Sequence, residues 1–463
     1  SSSSKTATVW RQFWTIFQLR FLELGRNPGK VFAFFFIPSI AIFDVTWRDL
    51  PQNIPFFDPA DISLFYTSGV WVVVTSLIVA MAVYDATVHN SDKLKYWLRV
   101  NGIQIGTYWT AMVMYEWTTY MVRFGLVVIG ITALNRDEPV KVDAILAIAP
   151  YQFIAGFPLV SGMLLMFRTF IHKNIVQKAS FMIVYFGGYL LVYLMHLLVT
   201  YFDSEKWNHI VCFISLFDPI WTAFYVPVKK TQFVDTALQP NPYLETLTDS
   251  YMIQSVLGLF YFGLLIWFET RRIQVNSQNE TTKSGVPSNL VVGATNCSKK
   301  YGRKTVVNNL DLQIEEGCIQ GFTGPNGAGK STSFNLLSLE VPKNGGRVDF
   351  WKSPIPDDLF LSVGVCPQET TVWPDLTLED HIRLVARIKG FNINQEGIRV
   401  LLASLGIEKN GSVKAGALSG GNKRKLLILL SLLGSPKAKL LDEPTTGVDP
   451  VSRKVTWKMI SSR

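Results

Sequence analysis

Charged residues are scarce in this chain, where they make up 17% of 463 residues against roughly 25% in average soluble domains. Cysteine is scarce too: the four cysteines show no paired spacing, which excludes a disulfide-stapled scaffold and suits a reducing compartment. We expect no signal peptide, because the first apolar block begins near Val31 without a small-residue cleavage site. Apolar residues, at 48%, occur in long blocks, which excludes a disordered, collagen-like or purely soluble chain.

Six blocks are long and apolar enough to cross a bilayer, whose hydrocarbon core of ~30 Å needs about 20 helical residues. They predict an all-α polytopic membrane domain over residues 1–275, with spans at 31–45, 62–84, 107–134, 144–167, 179–201 and 251–268. A seventh stretch, 207–226, is broken by Asp218 and Pro219, which favours a re-entrant or interfacial segment over a span.

The connections between the blocks differ in charge. Two are basic and two are acidic, namely 85–106 and 168–178 against 44–61 and 202–250. Because basic connections stay on the cytosolic side, we predict a multi-pass protein with both termini cytosolic, in a membrane that the sequence does not identify.

Two ionisable residues lie inside the third predicted span. Glu116 and Arg123 are seven residues apart and share one helix face. Ionisable residues in spans tend to face the bundle or a polar cavity, so the pair is either a headgroup-contacting site or a structural ion pair or interfacial placement.

The polar half of the chain begins after a predicted linker at 276–289. Residues 276–463 carry a net charge of +7, against +2 for residues 1–275, and this excess suits phosphates or lipid headgroups. Short β-like runs, such as Leu290–Ala294 and Val306–Ile314, alternate with helical stretches. This alternation predicts an α/β domain with a mixed sheet over 290–463.

A glycine-rich segment, GPNGAGKS at 324–331, fits the pattern G-x-x-x-x-G-K-[ST] of a phosphate-binding loop (P-loop). Its backbone N–H groups can wrap phosphates, Lys330 can reach the β- and γ-phosphates, and Ser331 can ligate Mg²⁺. We expect a strand before the loop at Cys318–Phe322 and a helix after it at Ser333–Leu339. The predicted ATP-binding residues of the loop are Gly324, Pro325, Asn326, Gly327, Ala328, Gly329, Lys330, Ser331 and Thr332.

Two acidic residues follow a short apolar run that ends at Leu441. A P-loop needs a further carboxylate for its metal, and Asp442 is the candidate. Glu443, the next residue, is the candidate that orients or deprotonates the attacking water.

A third motif, LSGGN, lies at 418–422, with Ser419 23 residues before Asp442. Ser419 can cap a helix that starts near Asn422, and the paired glycines expose N–H groups at its positive end. The basic run 423–425 follows directly. These features predict a second anion site, which we expect to close over a nucleotide held by another domain.

Together the three motifs resemble an ATP-binding cassette (ABC), an α/β P-loop NTPase domain. Among subfamilies the sequence is most similar to the eukaryotic A subfamily of lipid exporters, in its strings GPNGAGKST, LSGGNKRKL and LDEPTTGVDP and in CPQ followed by tryptophan and LTLEDH. The resemblance implies that Tyr301 stacks on adenine, that Gln368 touches Mg²⁺ and assists catalysis, and that Asp449 belongs to a dimer-interface loop. It also implies Ser331, Gln368 and Asp442 as metal residues, Glu443 as catalytic, and a signature acting in trans through Ser419, Gly420, Gly421 and Asn422.

Three features depart from the family pattern. The large extracellular domain of the family is reduced to about residues 44–61, and the chain holds one membrane half and one cassette half. The family's switch histidine should follow Asp449, yet the one histidine after residue 275 is His381. We therefore expect a C-terminally incomplete cassette, as a fragment or as a subunit with an incomplete site, so that hydrolysis by this exact chain stays open.

These observations predict one half of an ATP-driven exporter or floppase of lipids, with ATP and Mg²⁺ as cofactors. Its expected partners are the bilayer, a lipid substrate and a second transmembrane and cassette half, but no nucleic acid. Closure of two cassettes is expected to pull on helices near 91–100 and 168–178. Two alternatives stay open: a catalytically incomplete regulatory or structural subunit, and an exporter of drugs or peptides.

Overall fold

The structure of the chain is a computed structural model, which describes residues 2–32, 34–35, 92–134, 157, 161, 164, 255–256, 258–267, 269, 289–351 and 359–461. The predicted segments outside these residues are 62–84, 179–201, 168–178 and 207–226, and those described only in part are 31–45, 144–167, 251–268 and 276–289. The chain divides into two compact units. The first comprises 1–26, 90–111 and 268–463, and the second comprises 27–89 and 112–267.

The helices before the polar half that the structure bounds in full include α1 (Ser2–Arg26), α2 (Asp92–Val100) and α3 (Ile105–Leu134). Helices α1 and α2, with α3 as far as Ala111, belong to the first unit. Among the described residues, α3 is the single helix long and apolar enough to cross a membrane, and a shorter apolar helix spans Gly258–Trp267. The predicted span 107–134 thus coincides with α3, whereas the six-helix membrane domain is not shown by the described residues.

The ionisable pair of the third span belongs to the second unit. Glu116 and Arg123 are both buried there, and the Arg123 guanidinium lies 4.7 Å from the centre of the Phe34 ring. Burial of both side chains agrees with the high free-energy cost of exposing ionisable groups to lipid. The headgroup site stays a prediction.

The polar half builds an α/β domain with two sheets in its described part. Its elements are β1 (Leu290–Tyr301), β2 (Lys304–Glu315), α4 (Lys330–Leu337), β3 (Gly345–Phe350), α5 (Leu359–Ser362), β4 (Val363–Cys366), α6 (Leu378–Lys389), α7 (Gln395–Ala403), α8 (Gly420–Leu432), β5 (Ala438–Leu441) and α9 (Pro450–Ser461). Strands β2, β1 and β3 form an antiparallel sheet in that order, and β4 pairs with β5 in parallel. The expected mixed sheet is thus divided in two.

Helix ends are set by local chemistry. Thr377 caps α6, and a reciprocal capping box joins its side chain and that of Asp380 to backbone N–H groups. The helix ends at Gly390, whose φ of +98° suits glycine. Ser419 caps α8 by accepting a hydrogen bond from the Asn422 N–H, so this helix begins at Gly420.

The apolar core between the sheets includes side chains from far earlier in the chain. Tyr96 and Val100 of α2 are buried in one cluster with residues of β1, β3, β4 and β5, among them Val292, Phe350 and Val365, and partly buried residues of β2 pack against it. Burying one such side chain contributes roughly 1.5–3 kcal/mol. Helix α2 is therefore an integral part of the core of the first unit.

Helix α1 is held in the first unit by polar contacts. The Gln12 amide donates to the Gly102 carbonyl at 2.8 Å, and Arg26 pairs with Asp380 of α6. The Lys414 ammonium donates to the carbonyl of Arg26 at 2.7 Å, at the negative end of α1. The first unit thus groups α1 and α2 with residues after 268. The membrane-domain boundary at residue 275 stays a prediction.

The expected strand at Cys318–Phe322 does not form. These residues have no regular secondary structure and are exposed, with Ile319 76% and Phe322 49% exposed, and they have no ladder partner in the described part of the chain. A β-like apolar run becomes a strand only when a neighbour pairs with its backbone groups, and β5 pairs with β4 in the described residues. The sequence pattern indicates strand propensity, but it does not identify the strand with which this segment would pair.

Candidate nucleotide site

The P-loop forms an exposed turn that leads into the N-terminus of α4. Gly327 and Gly329 have φ values of +83° and +89°, which side chains larger than glycine rarely adopt. A Cβ on Gly329 would also lie 2.8 Å from the carbonyl oxygen of Val306 in β2. Both observations require glycine at this position, and they place the positive end of α4 at the loop.

Lys330, the first residue of α4, folds back over the loop. Its ammonium donates to the carbonyl of Gly324 at 2.7 Å and to that of Pro325 at 2.9 Å. Ser331 follows on the first helical turn and is exposed. The predicted helix at Ser333–Leu339 thus begins three residues earlier, at Lys330.

Two acidic side chains follow β5. Asp442 comes directly after the strand, and its backbone N–H donates to the Cys366 carbonyl of β4 at 2.9 Å. Burial raises the pKa of the Asp442 carboxyl and the neighbouring Glu443 adds to this, while Arg424 and Lys330 act in the opposite direction. The P-loop lysine is thus one of the charges that favour the ionised form of the Asp442 carboxyl. That Lys330 and Asp442 share one nucleotide site stays a prediction.

Glu443 has an unusual backbone. Its φ of +45° lies in the left-handed region, which costs a non-glycine residue of order 1 kcal/mol or more. The Glu443 carboxylate is exposed and accepts a hydrogen bond from the Thr446 hydroxyl at 3.2 Å. Strained backbone of this kind is concentrated at functional sites.

Gln368 lies at the same sheet edge. Cys366 and Leu441 are partners at the ends of the parallel strands β4 and β5, so the residues after them leave the sheet side by side. Gln368 is exposed two residues beyond β4. The structure therefore brings Gln368 together with Asp442 and Glu443.

Ser331, Gln368 and Asp442 fit a Mg²⁺ ion that binds together with a nucleotide. Among the residues that the structure describes, no cluster of three His, Cys, Asp or Glu side chains could hold a metal. Mg²⁺ commonly uses one or two protein oxygens together with phosphate oxygens and water. The Ser331 hydroxyl, the Gln368 amide and the Asp442 carboxylate offer such a set.

The start of the signature helix α8 packs against the loop after Glu443. A Cβ on Gly421 would lie 2.9 Å from the carbonyl oxygen of Gly447, so a side chain does not fit there. Asp449 caps α9 by accepting from the Ser452 N–H at 2.9 Å, and this hydrogen bond lowers the pKa of its carboxyl. Lys425 lies 3.9 Å from Asp449.

The basic run after the signature points inward instead of forming an anion-binding surface. Arg424 and Lys425 are buried, and Arg424 donates to backbone carbonyls of the loops after β4 and β5. Helix α8 is buried continuously from Arg424 to Leu432. The apolar residues that follow Arg424 in α8 were the sequence signal for its burial. A helix that is buried on all sides also buries the arginine at its start.

Tyr301 lies at the end of β1, in the turn that pairs it with Lys304 of β2. Its ring is half exposed, and the Lys299 ammonium lies 5.1 Å from the ring centre. The adjoining strand β2 also contacts Gly329 of the P-loop through Val306. The role of Tyr301 in stacking on adenine stays a prediction.

The sequence predicts a helix near 91–100 that responds to cassette closure, but it does not identify the partner of that helix, which is the loop between Gln368 and α6. Trp97 of α2 and Trp373, in the loop between Gln368 and α6, meet edge to face with ring centres 5.2 Å apart. The backbone N–H of Trp373 donates to His381 Nε2 at 3.0 Å, and His381 Nδ1 contacts the Thr377 carbonyl at 2.7 Å. His381 therefore supports this loop from the protein interior.

The comparisons with known proteins agree with this arrangement. The family model described as ABC transporter matches residues 307–446. The human glucosylceramide transporter ABCA12 is 36% identical over 184 residues, which cover 38% of this chain and 7% of that protein. ABC transporter A family member 2 of Arabidopsis thaliana is 36% identical over 182 residues, which cover 38% of this chain and 18% of that protein.

A bacterial relative is similar at the same level. The Nod factor export ATP-binding protein I of Cupriavidus pinatubonensis is 35% identical over 169 residues, which cover 35% of this chain and 52% of that protein. The chain thus spans less than a fifth of the plant and human relatives and about half of the bacterial one. Residues 307–446 form an ABC transporter cassette with the P-loop NTPase fold, and the predicted resemblance to A-type ABC transporters is confirmed.

Proposed function

We propose that this chain is one half of an ATP-driven membrane transporter that exports or flops lipids. The observation that carries the proposal is the pairing of β4 with β5, after which Gln368, Asp442 and Glu443 leave the same sheet edge, together with the packing of Trp97 of α2 on Trp373. A cassette placed in this way can turn nucleotide chemistry into movement of the membrane half. The similarity to a glucosylceramide transporter supports a lipid substrate.

In the proposed reaction each residue has one task. The backbone of the P-loop and Lys330 hold the phosphates, and Glu443 orients the attacking water and accepts its proton. Mg²⁺, held by Ser331, Gln368 and Asp442, supplies charge neutralisation of the phosphates. A second cassette half completes the site, with each signature motif covering the nucleotide of the other half.

The ATPase activity of the full-length assembly in lipid nanodiscs tests this proposal, with and without phospholipids and sterols. Glu443→Gln should lower turnover by about 100-fold or more and leave ATP binding intact, because a general base contributes that much. Glu396→Gln on the exposed face of α7 is the matched control and should keep the parent rate. Hydrolysis by Glu443→Gln at the parent rate would remove Glu443 from the reaction.

A second variant tests the P-loop. Lys330→Ala removes charge-assisted hydrogen bonds to phosphate, worth about 1.5–3 kcal/mol, and should weaken ATP binding roughly 10- to 100-fold. Unchanged binding would contradict the phosphate role of the loop. Stimulation by peptides or drugs, with no response to lipids, would favour the other class of exporter.

The second candidate function is a nucleotide-binding regulatory or structural subunit. It differs from the first candidate in turnover, since such a subunit binds ATP without hydrolysing it. His381 does not distinguish the two candidates, because it is buried between Thr377 and the Trp373 backbone and serves the fold. ATP binding without turnover in the full-length assembly would establish this function instead.

A further inference from the structure

One buried arginine joins three motifs of the candidate site. Arg424, five residues into the signature segment after Ser419, is 2% exposed. Its guanidinium donates to backbone carbonyl oxygens in two loops, namely those of Pro367, Gln368, Asp442, Glu443 and Pro444. The bonds to Glu443, Gln368 and Pro444 measure 2.8, 3.0 and 3.1 Å.

The guanidinium is fully used by these contacts. Arginine has five N–H donors in a rigid plane, and Arg424 makes one bond through Nε, two through Nη1 and two through Nη2. Every acceptor is a main-chain carbonyl, so the contacts fix the course of the backbone. Lysine, with three donors on one atom, cannot reproduce this fork.

The two loops carry residues with different proposed roles in catalysis. One loop carries Gln368 and, further on, Trp373, which packs against Trp97 of α2, and the other carries Glu443 in its left-handed conformation. Holding the Glu443 carbonyl stabilises a backbone that would otherwise relax. Because Arg424 is part of α8, a movement of the signature helix displaces both loops together.

We propose that Arg424 is a positioning residue that sets Gln368 and Glu443 according to the position of the signature helix. This inference rests on the proposed function, in which Ser419 covers the nucleotide of the second half. Arg424 then links the two nucleotide sites: engagement of the signature by one nucleotide sets the hydrolytic geometry for the other. The arginine acts through the backbone and contacts no reacting atom.

The test uses Arg424→Ala, Arg424→Gln and Arg424→Lys in the full-length assembly in nanodiscs. We expect kcat for ATP to fall at least tenfold in all three, with KM and the Kd for ATP within about twofold of the parent, and with lower cooperativity in ATP. Millimolar guanidinium should restore kcat in Arg424→Ala alone. The matched control is Arg347→Ala, which truncates an arginine paired with Asp349 in β3 and should keep the parent kcat.

A second readout does not depend on turnover. Hydrogen–deuterium exchange of the peptides containing 367–370 and 442–446 should rise together in Arg424→Ala and in Arg424→Gln, with or without ATP. The two peptides should be unchanged in Arg347→Ala. The Gln variant keeps two donors and most of the length of the side chain, so it remains informative should the Ala variant not fold.

The outcomes separate the two proposals. Absence of hydrolysis in the parent assembly overturns the proposed function, and the exchange experiment still tests the positioning role. Parent-like exchange of both loops, parent-like kcat in Arg424→Lys, or a rise in KM that matches the fall in kcat overturns the role of Arg424. Guanidinium rescue with concerted exchange of the two loops supports it.

Discussion

Acid pH should loosen α6 through His381. The imidazole is completely buried, its Nε2 accepts from the Trp373 N–H, and its Nδ1–H donates to the Thr377 carbonyl. Burial lowers the pKa of His381 to about 4 from an ordinary value of 6.5, although the hydrogen bond to Thr377 and the charges of Asp380 and Glu23 oppose it. The folded protein therefore holds this histidine neutral.

The magnitude follows from linkage. Between pH 6.5 and pH 4 the opened segment binds a proton that the folded segment does not, so stability falls as pH falls through this window. Each pH unit costs about 1.4 kcal/mol, which gives roughly 3 kcal/mol over the whole window. The full stability is present above about pH 6.5. Arg26 and Thr377 lower the pKa of Asp380 despite its partial burial, so its titration lies below this window.

Hydrogen–deuterium exchange of the peptide spanning α6 measures this effect, after correction for the pH dependence of intrinsic exchange. In the parent, protection should fall by roughly 100-fold or more between pH 6.5 and pH 4. In His381→Gln, whose amide oxygen keeps the acceptor for Trp373, this pH dependence should disappear. His381→Asn, which keeps the donor to Thr377, should do the same. Equal pH dependence in parent and variants would refute the reasoning.

Two further predictions concern the docking helix and the thiols. Trp97→Ala should leave basal ATP hydrolysis within about twofold while abolishing its stimulation by lipid, because the contact with Trp373 is lost; retained stimulation in nanodiscs would contradict the coupling role of α2. Burial raises the pKa of the Cys366 thiol to about 11, whereas Cys318 is exposed. Iodoacetamide at pH 8 should therefore modify Cys318 at least 100-fold faster than Cys366, which peptide mass spectrometry measures.

The local conformation of the motifs could be predicted from the sequence, because it depends on residues close to each other in the chain. The turn at Gly327 and Gly329, the capping role of Ser419 and the position of Asp442 after a short strand all depend on neighbours within a few residues. Such features follow from backbone conformation and hydrogen bonding over one or two turns.

The remaining features depend on contacts between distant segments. The packing of Trp97 on Trp373 joins residues far apart in sequence, and no periodicity in the sequence predicts this contact. The sequence pattern predicts Arg424 as part of an anion site after the signature. Its partners are instead backbone carbonyls, which residue types do not reveal. Residues 318–322 were predicted as a strand but do not form one, because strand propensity does not identify a pairing partner.

The insertion of α2 into the core has a consequence for the order of synthesis. Tyr96 and Val100 leave the ribosome long before Val292, Phe350 and Val365, with which they pack. At about 5–20 residues per second, the 189 residues between Val100 and Leu290 take roughly 10 to 40 s to translate. During this interval the apolar face of α2 has no strands to cover it. The nascent chain therefore exposes this face until β1 and the later strands emerge, and a cassette produced without α2 lacks part of its own core.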